Sequence, residues 1–141
     1  MAAHSVPNPE KHLVAPALTA GRIRAMTVDD IPGVARLHAA SWRTAYRGVL
    51  SQEFLDRDLD QDRGAAWAAR RDEISRGAEF GFVFEVPVGG EAQAMGFAYV
   101  LPNADATYGH CLDNLHVAPE GRGLGIGGQL LSAVAQALAS R

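Results

Sequence analysis

The chain has 141 residues, 48% of them hydrophobic and 21% charged, with a formal net charge of -3. That is enough for one globular domain and too little for two. The charge argues against a nucleic-acid backbone as the main partner, and no apolar run approaches the roughly 20 residues of a membrane helix. The single cysteine, Cys111, excludes an internal disulfide and suits a reducing compartment, so a cytoplasmic location is expected.

Residues 1–20 hold Pro7, Pro9 and Pro16 and no sustained period. They predict a disordered N-terminal extension ahead of one domain over residues 21–141. Residues 22–26 alternate like a strand. "TVDDIPG" reads as a helix start, with Asp29 or Asp30 accepting backbone N–H bonds and Pro32 in the first turn. Ile31, Val34, Ala35, His38, Trp42, Ala45, Tyr46 and Val49 then recur at helical spacing, and Gly48 marks the end. Ser51 is expected to cap a short helix over residues 51–59, and residues 61–76 form a second helical piece closed by Gly77. "DRDLDQD" sets Asp56, Asp58, Asp60 and Asp62 at alternate positions; on a helix that step sends them around the cylinder, so they read as solvated charge.

The aromatic and β-branched stretch "EFGFVFEVP" predicts a strand over 79–87. "VGGE" turns the chain, and "AQAMGFAYVLP" returns over 92–102 as the second arm of an antiparallel hairpin. Residues 103–109 are expected to be a loop, and "HCLDNLHV" a fourth strand over 110–117. Leu130, Leu131, Val134 and Leu138 predict a final helix from Gln129 onward. The order is β-α-α-β-β-β-α.

Between that strand and that helix lies "RGLGIGG", Arg122 to Gly128. The first turn of a helix leaves N–H groups without internal partners, and the helix dipole adds partial positive charge there. Glycines let the backbone approach an anion with no Cβ in the way, so a phosphate or pyrophosphate is the natural guest. The dipole alone supplies only ~0.3–1 kcal/mol per charge, so several N–H bonds must act together. A plain glycine turn has no need of four glycines in six residues. Gly123, Gly125 and Gly128 satisfy G-x-G-x-x-G, but that fingerprint needs a βαβ unit and an acid about 20 residues on. No Gly-Lys-Ser/Thr follows for an ATP-type loop.

"RGLGIG", behind a strand ending "LHVAP" and opening an apolar helix, matches R/Q-x-x-G-x-G/A. It resembles the acetyl-CoA loop of the GNAT superfamily of N-acetyltransferases. The element order agrees from about Arg22 to Arg141, and "HAASWRTAYRGVLSQEFL" is similar to the first-helix region of bacterial members. The resemblance implies an α/β (α+β) fold around a mixed, mostly antiparallel sheet. It implies acetyl-CoA as co-substrate, no metal, and an amine acceptor that attacks the thioester directly. The pyrophosphate would lie on the backbone of Arg122, Gly123, Leu124, Gly125, Ile126 and Gly127, with Gly128 beside them. A bulge would splay the fourth strand, and the pantetheine arm would run along Leu115, His116 and Val117. The Val117 N–H would stabilise the oxyanion; one such donor is typically worth ~3 kcal/mol of barrier.

An ammonium cannot attack, so a base must take its proton. Family members often use a Glu six residues before the equivalent of Val117, and here that position is Cys111. His110, Asp113 and His116 are the candidate replacements, with Glu85 a further one through water. Cys111 itself reads as a small buried hydrophobe. Trp42, Tyr46 and the turn at Arg47–Gly48 would fall at the acceptor pocket, although Trp42 and Tyr46 both lie on the apolar stripe, which suits Trp42 better to the core.

A complete member continues with a fifth strand, another helix and a closing hairpin. The resemblance therefore implies a chain truncated after the last helix, with one sheet edge lacking its neighbour. An unpaired edge invites association, so a homodimer or a complementing second chain is expected alongside acetyl-CoA. The alternative function is a catalytically inactive module that binds the coenzyme or dimerises.

Overall fold

The computed structural model describes residues 20–141, and the extension expected over residues 1–20 lies, up to residue 19, outside the described residues. Strand β1 (Arg22–Ala25) leads through a 3-10 turn into helix α1 (Ile31–Ala45). Asp30 stands at the cap position, but its carboxylate turns back, taking the Thr27 N–H (2.8 Å) and Arg24 Nη2 (2.6 Å). Helix α1 ends earlier than the stripe suggested. Gly48 takes φ +84°, and Val49 is 76% exposed, off the buried face.

Ser51 Oγ accepts the Phe54 N–H (3.2 Å), the expected cap. The expected break near residue 60 is absent. A π-helical turn, Phe54–Asp58, runs straight into helix α2 (Leu59–Ala68), and the break falls before helix α3 (Arg71–Arg76). Leu55 and Leu59, four apart on this run, bury fully against Ala39, which holds the helical path together. Gly77 ends α3 at φ +72°.

Strands β2 (Phe80–Val88), β3 (Glu91–Asp105) and β4 (Gly109–Val117) complete a four-stranded sheet, β1-β2-β3-β4, antiparallel throughout. Gly89 and Gly90, both at positive φ, make the tight β2–β3 turn. Strand β3 runs on into the expected loop until Asp105 pairs with Gly109. Helix α4 (Ile126–Ala139) starts three residues earlier than expected, because Gly125 caps it at φ +83°. It covers one sheet face through Ile126, Leu130 and Val134 against Phe84, Ala98 and Val100. On the other face α1 and α2 bury Val34 and Trp67 against Val83, Phe97 and Tyr99. This second face carries the polar site.

Candidate active site

Register sets the site. Phe97 pairs with His116 and Tyr99 with Asn114, so β4 presents both polar side chains to the α1 face. Tyr99 pairs with Asn114 and Val100 with Leu112, leaving Asp113 as a bulge residue in β4. Helix α1 lays His38, Ser41 and Trp42 over this face, one turn of a helix apart.

The His116 ring lies against His38 (centroids 4.6 Å apart) and Phe97 (5.3 Å). Its Nδ1 is 3.0 Å from Ser41 Oγ and its Nε2 3.3 Å from Asn114 Oδ1. Burial, and then the Arg122 charge, lower its pKa below the ordinary 6.5, so the ring is a neutral base at pH 7. His38 is more deeply held. Trp67 Nε1 donates to its Nδ1 (2.9 Å) and Trp42 Nε1 faces its Nε2 (3.1 Å). A neutral imidazole has one acceptor nitrogen, so the two indoles compete for it; a protonated ring offers none. Burial, with the charges of His116, Arg63 and Arg70, brings the His38 pKa down to about 4.

The outer edge of β4 is open among the described residues. Ala118 N–H donates to Met95 O (2.7 Å), which makes Gly96–Val117 a non-hydrogen-bonded pair. The Val117 N–H therefore points away from β3, as does that of Leu115 two residues earlier. The His116 backbone lies in the alternate register and faces Phe97, so its expected contact with a pantetheine arm is not available.

Beyond Val117 the chain turns through Gly121 and Arg122, and Arg122 Nε donates back to Val117 O (3.2 Å). Gly123 and Gly125 adopt φ +78° and +83°. The first bond of α4 runs from Gln129 N–H to Gly125 O (3.0 Å), so the N–H groups of Ile126, Gly127 and Gly128 precede the helical ladder. A Cβ built on Gly123, Gly125 or Gly128 meets nothing within 4 Å, so these backbones face open space. A groove of about 920 Å³ runs from Arg24 and Glu85, past Ser41 and Thr44, to Val117 and Arg122 at the lip of this loop.

Of the candidate bases, Glu85 lines this groove, and His116 reaches it through Ser41, whose Oγ is 3.0 Å from Nδ1. His110 is seven residues up an extended strand from Val117, roughly 23 Å away, exposed, with Nδ1 accepting the Asn103 N–H (3.0 Å). Asp113 is paired with Arg70 (2.9 Å). Glu85 lines the groove but is clamped by Arg24 (2.9 Å) and Arg22 (2.9 Å). The Arg24 hydrogen bond outweighs burial and holds its carboxyl below the usual range, which makes it a poor proton acceptor. Cys111 is exposed, not buried as expected, because no element packs over that end of the edge strand among the described residues. Trp42 packs with Tyr46 (5.0 Å) under Arg63 (4.3 Å), and Arg47 lines the groove. Asp60 pairs with Arg43 and Asp62 with Arg63, both partly solvent-facing, in keeping with surface charge. Sequence reasoning missed Ser41, Asn114 and the role of His38. The available signal was a histidine on the apolar stripe with a serine three residues on.

A glycine loop opening a helix behind an edge strand, with an outward N–H at the strand's end, makes this an α+β domain whose candidate site is backbone N–H groups rather than a cluster of charged side chains. The sequence profile of the Acetyltransferase (GNAT) family matches residues 31–141, and the chain belongs to that family. Among solved structures it is similar to the PaiA N-acetyltransferase of Thermoplasma acidophilum in complex with coenzyme A. That match has a TM-score of 0.65 at 18% identity, over 85% of this chain and 72% of that one. A GCN5-related N-acetyltransferase from Ralstonia eutropha JMP134 gives 0.60 at 24%, over 86% and 77%. A predicted acetyltransferase from Clostridium acetobutylicum, solved with acetyl-CoA, gives 0.55 at 15%, over 86% and 75%. A search of curated proteins found no match. No helix among the described residues is long and apolar enough to cross a membrane.

Proposed function

We propose that the protein transfers the acetyl group of acetyl-CoA to a primary amine by direct attack. The observation that carries the reading is the outward Val117 N–H set beside the open backbone of Gly123 to Gly128. The loop N–H groups of Gly123 to Gly128 take the pyrophosphate; the Arg122 N–H, expected to join them, turns back onto Pro119 O (3.3 Å). The pantetheine arm lies along the open edge on Leu115 and Val117, and the Val117 N–H receives the thioester oxygen. Arg36 and Arg47 line the same groove, and neither is held in an ion pair among the described residues, so they suit the remaining phosphate charge. The PaiA and Clostridium neighbours, solved with coenzyme A and acetyl-CoA, support this ligand. His116, neutral at pH 7 and beside Val117, is the base the geometry favours over His110 and Asp113. We infer a cytoplasmic location, which the lone cysteine supports because it suits a reducing compartment.

The test is acetyl-CoA with a panel of primary amines, following free thiol. Amine-dependent thiol release supports the reading. A thermal shift with acetyl-CoA but no release on any amine would replace it with a coenzyme-binding module.

A further inference from the structure

We propose that the Ser41 hydroxyl, not the His116 ring, meets the acceptor nitrogen and relays its proton to Nδ1 of His116. The inference rests on the acetyl-transfer reading above. Ser41 lines the groove with Val117, whereas His116 is not among the groove-lining residues. Both nitrogens of His116 are engaged inside the protein, one by Ser41 and one by Asn114.

The tautomer follows from the neighbours. Asn114 Nδ2 donates to Asp113 Oδ2 (2.6 Å), which turns Asn114 Oδ1 toward His116. A carboxamide oxygen only accepts, so Nε2 carries the ring hydrogen. Nδ1 is then bare and accepts the Ser41 O–H (3.0 Å). Asp113 is itself anchored by Arg70 (2.9 Å). A continuous chain therefore runs from Arg70 through Asp113, Asn114 and His116 to Ser41 at the groove. The groups facing the ring are His38 and Ser41 from α1, Phe97 from β3, Asn114 on its own strand, and Arg122 from the loop, with Asp113 one step behind Asn114.

The step balances. The acceptor ammonium gives one proton to Ser41 Oγ as the serine's own proton passes to Nδ1, and His116 later sheds it to water. The neutral amine attacks the thioester carbon, a C–N bond forms and the C–S bond breaks. The proton then lost from nitrogen goes to the departing coenzyme thiolate.

The test compares thiol release against pH for the unaltered protein, Ser41→Ala, Ser41→Thr and His116→Gln. Ser41→Ala is expected to lower kcat about 100-fold while keeping the acetyl-CoA thermal shift, with Ser41→Thr recovering activity to within ~10-fold. The unaltered protein should lose activity on an acid limb shifted below that of an ordinary imidazole, and both Ser41→Ala and His116→Gln should flatten that limb. A Ser41→Ala rate near that of the unaltered protein, or an unchanged acid limb, overturns the relay alone. Nitrogen-15 NMR of His116 in the free protein gives a readout that needs no activity. The Nε2–H tautomer is expected, and an Nδ1–H tautomer overturns the relay without touching acetyl transfer. No thiol release from the unaltered protein overturns acetyl transfer, and the relay with it.

Discussion

His38 is 6% exposed and faces two indole N–H groups that a protonated ring could not satisfy. Its pKa of about 4 therefore links stability to pH. The unfolded chain binds a proton near pH 6.5 and the folded ring does not, so stability is full above 6.5 and falls as pH drops toward 4. The loss reaches roughly 2 kcal/mol by pH 5, above the carboxylate range, with His116 adding in the same direction. Urea unfolding at pH 7.5 and 5 checks this, and His38→Phe should flatten the slope. At the loop, Gly125→Glu adds a side chain at φ +83° and a negative charge where the phosphates are assigned. It should abolish acetyl-CoA affinity, read by calorimetry; unchanged affinity contradicts the placement. His116 and Val117 could be named as candidates from the sequence because they lie on one strand beside a motif. Ser41 and His38 were not, because their meeting with His116 depends on α1 crossing β4, 75 residues apart at the Ser41–His116 bond.

Strands read well from the sequence because their aromatic and β-branched runs coincide with the hairpin turn at Gly89–Gly90. Helix boundaries read less well. Burial of Leu55 and Leu59 carried the helical path across the π turn, a tertiary effect that local residue preference does not contain. Two glycines test the packing of these elements. Gly64 lies inside α2 and a Cβ there meets nothing within 4 Å, so Gly64→Ala should stabilise by about 0.5–1 kcal/mol. A Cβ on Gly81 instead runs into Ala98 O across the β2–β3 pair, and Gly81→Ala should destabilise by about 1–3 kcal/mol. Thermal unfolding of both variants distinguishes them by sign.

At the scale of the whole molecule the two sheet faces divide the work. Helix α4 seals one face with an apolar core, and its N-terminus supplies the loop backbone; α1 and α2 enclose the polar network on the other. Val117 is where the two meet, at the end of the edge strand. Ligand linkage then gives a global readout: acetyl-CoA at 100 times its Kd should add about 2.7 kcal/mol of stability. Acetyl transfer is measured as free-thiol release from acetyl-CoA with the amine panel, run beside Gly125→Glu. Release is expected only with both an amine and the intact loop. Release that is equal in Gly125→Glu, or absent with every amine, would contradict the proposed function.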